Sequence, residues 1–316
     1  MTKPDTFNTA AYGGEKWSPR LKNHRDEIGS LWGHCGIDCE WAPLKAVLLH
    51  TPGQEWDHIP DPDAAQMLAA PNLDLARQQH ELIARTYRNK HIRVDYVTPN
   101  ETPPPNLIFC ADLFFMTPEG AILARPASTM RAGEERWIAR RLTDLGIPIT
   151  RTLRGAATFE GADAQWLDPG TVLLGRGLRT NAEGANQVTD ALHAMGVNVI
   201  QVDLPIGSMH LMGMLRFLDR DLAVGWPGRL SFVAVEALRA HGYGVIFIPD
   251  QSEAKDHALN FVTLGPREIL MPSGKPITQN FYQSNGVTCH TVETNELNKA
   301  AGGIGCLTGV LERSNG

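Results

Sequence analysis

Three residue types that together could carry out nucleophilic chemistry lie in three short, glycine-containing segments. Cys306 stands in the string GGIGCLT, His210 in MHLM and Glu160 in FEGAD. A cysteine thiolate is a nucleophile, an imidazole exchanges protons near neutral pH, and a carboxylate can orient that imidazole. The combination predicts a covalent, cysteine-dependent reaction.

Each of these residues, taken alone, has a plainer explanation. A lone cysteine is typical of buried packing, a histidine among apolar residues is commonly a core residue, and acidic residues beside glycine commonly form turns. The catalytic hypothesis therefore requires a fold that brings Cys306, His210 and Glu160 together.

A repeated unit accounts for nearly all of the chain after residue 40. Four copies end in a glycine followed by a β-rich run, at Gly146, Gly196, Gly242 and Gly286, with spacings of 50, 46 and 44 residues. A glycine there is the expected left-handed stop of a preceding helix. A fifth, divergent copy ends at His91 without the glycine.

Each unit is predicted to contain a strand, a helix and a second strand. The predicted helices cover residues 73–88, 133–145, 183–195, 231–241 and 278–284. Five such units predict an α/β fold, a five-bladed ring with the helices outside. A plain doubly wound sheet is the alternative, because short apolar runs do not set the order of strands.

In a closed ring, the connections between units converge at one end, where sites are commonly built on loops. Four connections combine polar residues with glycine, at residues 106–113, 158–164, 208–214 and 301–309. Residues 52–72 are rich in proline and aspartate and predict a lid that sets specificity, with an ordinary surface loop as the alternative. Residues 1–40 predict an N-terminal arm or cap, and residues 41–313 a single catalytic domain.

Composition argues against several classes of protein. The chain has 316 residues, a net charge of −6 and no run of Lys or Arg, so a nucleic-acid partner is not expected. No apolar run approaches the roughly 20 residues of a membrane helix, and no secretory signal is visible, so we expect no membrane partner and a cytoplasmic protein. The spacing of the five cysteines predicts neither a disulfide framework nor a zinc site, and we expect no metal or cofactor. The sequence leaves the oligomeric state open, a homo-oligomer included.

Several segments, in order, resemble the guanidino-group-modifying enzymes of the pentein fold. This family includes arginine deiminases, dimethylarginine dimethylaminohydrolases and amidinotransferases, and the pattern is most similar to bacterial dimethylarginine dimethylaminohydrolases. The resemblance runs from about Lys45 to Glu312 and is most specific at residues 179–184 (RTNAEG). It implies a five-bladed αβ propeller and a small-molecule guanidino substrate. The other segments that carry it are residues 106–112 (NLIFCAD), 125–135, 159–163, 209–213 and 302–306.

The resemblance also implies a role for each matching residue. Cys306 matches the nucleophile that attacks the guanidino carbon and forms a thiouronium intermediate. His210 matches the general acid that protonates the leaving amine and then activates water, and Glu160 matches the carboxylate that pairs with that imidazole. The implied substrate-binding positions are Asp112 for the guanidinium, Arg131 and Arg179 for a substrate carboxylate, and Asn106, Asp163 and Met212 nearby. For the two arginines, a salt bridge at a helix start and a turn contact are the alternatives.

Two departures from the family pattern bear on the substrate. Asn106 stands where the hydrolases usually have aspartate, and Met212 stands where deiminases and amidinotransferases have aspartate. With fewer anions, the site favours a substituted or less basic guanidine, an amidine or a ureido compound over plain arginine. The alternatives are an amidinotransferase, an arginine dihydrolase that releases two ammonias, and a non-catalytic pentein that binds a partner.

Overall fold

Five three-stranded sheets form the frame of the protein. The structure is a computed structural model and describes residues 19–57, 59 and 61–314. In every sheet the central strand pairs antiparallel with one neighbour and parallel with the other, and a helix connects the two parallel strands. The strands, sheet by sheet, are β1 (Leu44–Leu49), β2 (Arg93–Tyr96) and β15 (Gly309–Arg313); β3 (Phe114–Thr117), β4 (Gly120–Leu123) and β5 (Ile149–Thr152); β6 (Ala164–Asp168), β7 (Thr171–Arg176) and β8 (Asn198–Asp203); β9 (Leu215–Asp219), β10 (Leu222–Gly225) and β11 (Gly244–Phe247); β12 (Val262–Gly265), β13 (Glu268–Pro272) and β14 (Thr288–Val292).

The helices that connect parallel strands pack one apolar face on the sheets. In the helix Leu73–Asn89, for example, Ala76, Ile83, Ala84 and Tyr87 are buried at helical spacing. No helix among the described residues is both long and apolar enough to cross a membrane. The helices are α1 (His24–Glu27), α2 (Leu73–Asn89), α3 (Glu135–Asp144), α4 (Ala182–Ala194), α5 (Phe232–Ala240), α6 (Gln251–Lys255), α7 (Pro276–Ser284) and α8 (Ile304–Leu307).

The predicted strand–helix–strand repeat is confirmed, but each unit contains a third strand that was not predicted. The extra strands are β15, β3, β6, β9 and β12, each antiparallel to a central strand. β3, β6, β9 and β12 are almost wholly buried runs of four or five residues, whereas β15 alternates between buried and half-buried residues. Because the four buried runs lack alternation, periodicity does not separate them from the loops before them.

The C-terminal strand closes the ring. β15 pairs antiparallel with β1, with Leu44 opposite Arg313 and Leu48 opposite Gly309. Neighbouring sheets touch in turn around the ring, since β15 contacts β3, β12 contacts β9, and β1 contacts β12. The fold is therefore the five-bladed αβ propeller expected from the repeat, and the doubly wound alternative is excluded.

The described part of the N-terminal segment packs against the closing strand. The Gly36 N–H donates to the Leu311 carbonyl at 2.9 Å, and the Arg313 N–H donates to the Gly36 carbonyl at 3.1 Å. Glu40 accepts a hydrogen bond from the Trp166 N–H at 3.0 Å. Residues 1–18 of the predicted arm lie outside the described residues, and the predicted domain boundary after residue 40 stays a prediction.

The glycine positions of the repeat are required by backbone geometry. Gly146, Gly196, Gly242 and Gly286 have φ between +71° and +86°, and His91 takes the same conformation at +59°. L-residues pay about 1–2 kcal/mol for this left-handed region. A Cβ atom added at Gly196 would meet nothing within 4 Å, so the cost of a side chain there is backbone strain alone.

We therefore expect Gly196→Ala to lower the free energy of unfolding by about 1 kcal/mol, measured by urea denaturation. Gly170→Ala is the matched control, because its added Cβ also has room but the backbone is not left-handed. Equal stability of the Gly196→Ala variant and the wild type would contradict this explanation of the repeat.

Candidate active site

The five connections that precede the antiparallel strands bring one polar group each to the same end of the ring. Asp112 precedes β3, Glu160 precedes β6, His210 precedes β9, Asn260 precedes β12 and Cys306 precedes β15. Asn260 was missed, because its segment lacks the glycines that drew attention to the other four. The repeat itself contains the signal, since Glu160, His210 and Asn260 follow one another at intervals of 50 residues.

A buried carboxylate–imidazole pair lies at the centre of the site. The His210 Nε2 atom is 2.7 Å from Glu160 Oε2, and His210 Nδ1 is 3.8 Å from Asp112 Oδ1. Burial alone would lower the pKa of His210, but the carboxylates of Asp112, Glu160 and Asp163 outweigh it and raise that pKa to about 9. His210 is therefore a cation at neutral pH and has a proton to donate.

Two arginines, Arg131 and Arg179, pair with carboxylates of the site. Arg131 contacts Asp112 at 2.7 Å, Glu134 at 2.9 Å and Glu160 at 3.4 Å, and it is itself buried. Arg179 contacts Glu160 at 3.2 Å. Burial alone would raise the pKa of Glu160, yet the hydrogen bond from His210 and the charges of His210 and the two arginines lower it to about 2. Glu160 is thus ionised throughout the neutral range.

The positive charge of Arg131 is already paired within the protein. The resemblance implies that it holds a substrate carboxylate, but its guanidinium is bound to the carboxylates of Asp112 and Glu160. It also lies over the Phe109 ring, 5.9 Å from the centroid. The carboxylates thus hold one guanidinium already, which shows that their spacing suits that group.

Asn260 makes two hydrogen bonds to Cys306. Its Nδ2 atom donates to Cys306 Sγ at 2.9 Å, and its Oδ1 atom accepts from the Cys306 N–H at 3.2 Å. Burial and the charge of Asp112 raise the pKa of the Cys306 thiol to about 11, while the Asn260 hydrogen bond acts in the opposite direction. The cysteine is therefore a neutral thiol at neutral pH.

The glycines before Cys306 make room for neighbouring side chains. A Cβ on Gly302 would lie 2.3 Å from the Phe109 ring, and one on Gly305 would lie 2.7 Å from Asn260 Oδ1. Gly302 therefore leaves space for Phe109, and Gly305 lets Asn260 reach Cys306.

A small cavity of about 30 Å³ opens beside these groups. Several buried acceptor oxygens have no hydrogen-bond partner among the described residues, and two of them, Asn106 Oδ1 and Asp112 Oδ1, belong to residues that line the cavity. Buried polar atoms are normally satisfied, so these two oxygens point to a ligand with N–H donors. The cavity is lined by Gln66, Asn106, Phe109, Asp112, Arg131, Arg179, Met209, His210, Ala300, Ala301, Gly302 and Cys306.

The described part of residues 52–72 contacts residues of the site, and its role as a lid stays a prediction. Gln66 lines the small cavity, and the Asn106 Nδ2 atom donates to the Ala65 carbonyl at 2.8 Å. The Leu68 N–H donates to the Lys299 carbonyl at 2.7 Å. The influence of this segment on specificity stays a prediction.

Two of the predicted substrate-binding residues, Asp163 and Met212, do not line the small cavity. Asp163 is fully buried and lines neither cavity of the site, since its oxygens accept from the Thr180 hydroxyl at 2.6 Å and from the Leu211 N–H at 3.0 Å. It supports the segment that carries His210. Met212 lines a second, larger cavity that adjoins the first at Cys306 and His210.

One group of described residues has the geometry of a metal site. Ligand atoms of Asp112, Glu160 and His210 lie within 4.8 Å of one another. The Arg131 guanidinium bonds to both carboxylates, so a positive charge already occupies this position. The expectation that the site works without a metal stays a prediction.

Comparison with known proteins identifies relatives over most of the chain. The family profile described as arginine deiminase matches residues 78–231 and 228–313. The N(G),N(G)-dimethylarginine dimethylaminohydrolase of Pseudomonas aeruginosa is 25% identical over 269 residues, which cover 84% of this chain and 98% of the relative.

Solved structures share the fold. That of the dimethylarginine dimethylaminohydrolase from Pseudomonas aeruginosa in complex with citrulline has a TM-score of 0.72 and 24% identity, and the match covers 86% of this chain and 100% of that one. An amidinotransferase of saxitoxin biosynthesis from Microseira wollei has a TM-score of 0.72 and 14% identity, with 89% of this chain and 98% of that chain covered. Hydrolases and a transferase therefore share this fold, so the fold alone does not decide between the two reactions.

The contact between Asn260 and Cys306 leads to a prediction about thiol reactivity. Asn260→Ala removes the donor to Sγ, so the thiolate is less favoured and Cys306 should react with iodoacetamide about tenfold more slowly at a fixed pH. Asn260→Asp should slow the reaction further, because an oxygen replaces the donor. Labelling of the Cys306 peptide, measured by mass spectrometry, is the readout.

The control is Asn186→Ala, at an exposed position of α4. The same labelling rate in Asn260→Ala and the wild type would show that the hydrogen bond has no influence on the thiol.

Proposed function

The chain belongs to the arginine deiminase family, and from this we propose that it hydrolyses a C–N bond of a substituted guanidine or related amidine through Cys306. The proposal rests mainly on one observation. Asn106 and Asp112 each carry a buried oxygen with no hydrogen bond to another described residue, and both line the same cavity as Cys306 and His210. A guanidinium or amidinium would offer them N–H donors and place its central carbon near the thiol.

Substrate binding can activate the nucleophile. Asp112 is among the groups that raise the pKa of the Cys306 thiol, and a cationic substrate beside Asp112 would offset that charge. The thiol would then lose its proton to solvent. We infer that the reactive thiolate forms with the substrate in place.

The first half-reaction forms a thiouronium intermediate. The Cys306 thiolate donates an electron pair to the trigonal carbon, and a C–S bond forms. His210 Nδ1 gives its proton to the departing nitrogen, the C–N bond breaks with its electrons on nitrogen, and an amine leaves. Glu160, bonded to Nε2, stabilises the imidazolium before the transfer.

The second half-reaction is hydrolysis. The neutral His210 takes a proton from water, and the hydroxide adds to the same carbon. The C–S bond breaks with its electrons on sulfur, and the proton of the added hydroxyl passes to that sulfur, which restores the thiol. The products are an amine and either a urea, from a guanidine, or a carboxamide, from an amidine. No step requires a metal, because the carboxylates and the imidazole handle charge and protons.

Two features support a hydrolase of substituted substrates over a deiminase of arginine. Asn106 contributes no charge, and Met212 replaces a carboxylate that the resemblance assigns to deiminases and amidinotransferases. The Pseudomonas aeruginosa relative is named as a dimethylarginine dimethylaminohydrolase, which matches this choice. The substrate class proposed is therefore an N-substituted guanidine or amidine whose amine is released.

The test is an assay that measures ureido product, released amine and ammonia separately, in the presence of EDTA. The panel contains arginine, its methylated forms, hydroxyarginine, agmatine, guanidinoacetate and simple amidines. We expect release of an amine from a substituted member, and a loss of turnover by a factor of about 10⁴ or more in Cys306→Ser.

Cys289→Ser serves as the control, since Cys289 lies on β14 and lines neither cavity of the site. Turnover near the wild-type rate in Cys306→Ser would refute the proposal. Faster turnover on addition of ornithine or glycine, with transfer of the amidino group, would identify an amidinotransferase instead.

A further inference from the structure

A second cavity adjoins Cys306 and His210, and no carboxylate of the described residues lines it. Its volume is about 270 Å³, compared with about 30 Å³ for the first cavity. Met209, His210, Ala301 and Cys306 line both. A buried water needs roughly 10–15 Å³ of cavity volume, so the first cavity has room for only about two or three waters. As it stands, it has no room for a long substituent on the reacting group.

Buried apolar side chains and basic side chains line the second cavity. Met212, Met214 and Leu259 are buried, and the Trp226 ring is 6% exposed. Arg229 and Lys255 are the cations that line it, and His257 lies beside them. Among the described lining residues there is no aspartate or glutamate. This composition is opposite in charge to that of the first cavity.

Neither cation is paired with a carboxylate of the described residues. Arg229 donates to the Gly207 carbonyl at 3.0 Å and lies 4.6 Å from the centroid of the Trp226 ring, contacts that leave its charge uncompensated. Lys255 is exposed at the end of α6, and its side chain has no hydrogen bond or ion pair with another described residue. A basic cavity without a counter-ion suits an anionic ligand.

The nearby carboxylates of α6 and its flanks are engaged elsewhere. Asp250 caps the helix by accepting from the Glu253 N–H at 2.7 Å. Glu253 accepts from the Ile277 and Thr278 N–H groups. Asp256 pairs with Lys275. These contacts direct the acidic groups away from Lys255.

The position of His210 indicates which part of a substrate the second cavity would hold. The carboxylates hold the guanidinium from the first cavity, and His210 protonates the nitrogen that departs. Because His210 also lines the second cavity, a substituent on the departing nitrogen can extend there. Arg131 is paired with three carboxylates, which leaves Arg229 and Lys255 better able to hold a substrate anion.

We propose that the second cavity binds the substituent on the departing nitrogen, and that it takes an apolar or aromatic arm ending in a carboxylate. Trp226 and the methionines contact the arm, and Arg229 and Lys255 bind the carboxylate. The released amine is then an amino acid or a related amino-carboxylate. This inference rests on the proposed cysteine hydrolase and specifies its substrate class.

The test uses alkylating amidines, which label Cys306 without turnover. The probes are 2-chloroacetamidine, its N-benzyl derivative and its N-(4-carboxybenzyl) derivative. In each case the Cys306 sulfur displaces chloride from the probe carbon, forming a thioether and releasing chloride. We expect the carboxybenzyl probe to label Cys306 about tenfold faster than the benzyl probe at low concentration.

The ratio of those two rates should fall towards 1 in Arg229→Gln combined with Lys255→Gln. Arg239→Gln, at an exposed position on α5, is the matched control and should keep the wild-type ratio. A probe with an ammonium group in place of the carboxylate should be slower than the benzyl probe. Thermal denaturation of each variant checks that it is folded.

The outcomes separate the inference from the proposed function. If 2-chloroacetamidine itself fails to label Cys306 faster than Cys289, the proposed hydrolase is wrong. If it labels Cys306 but the carboxybenzyl and benzyl probes react equally, or the ammonium probe is fastest, the hydrolase survives and the assignment of the second cavity is overturned.

Discussion

The buried carboxylate of Glu160 is the group on which the candidate site depends. It is fully buried, and it joins His210, Arg131 and Arg179 with the Ala127 N–H, which donates to it at 3.2 Å. A buried charge is tolerated when it is paired, and loss of one partner from such a cluster costs about 3–5 kcal/mol. Its low pKa and the high pKa of His210 have the same origin, since each charge stabilises the other.

The ring explains how groups so distant in sequence meet. In each blade, the connection before the antiparallel strand ends at the same face of the ring. Five different blades therefore contribute the polar groups of the site, which are Asp112, Glu160, His210, Asn260 and Cys306. The fifth position depends on closure, because β15 must pair with β1 to place α8 and its cysteine beside the others. The small cavity that Asp112 lines and the larger apolar and basic cavity meet at Cys306 and His210.

The sequence predicted the repeat well because its glycines mark left-handed helix ends, and each marks a blade. It did not predict the antiparallel strands such as β3, which are too short and uniformly buried to show a period. Asn260 was missed although the 50-residue interval points to it. The pairing of Arg131 with Asp112, Glu134 and Glu160 depends on tertiary contacts, so sequence similarity alone indicated a different partner for it.

The proposed reaction passes through a covalent bond between Cys306 and the guanidino or amidino carbon of a substrate. Mass spectrometry of the protein, after acid quenching during turnover of whichever panel compound is consumed, detects this bond. We expect an adduct on the Cys306 peptide with the mass of the substrate less its amine, rising and then decaying as product forms. Product formation at the full rate with no such adduct, and equally in Cys306→Ser, would contradict it.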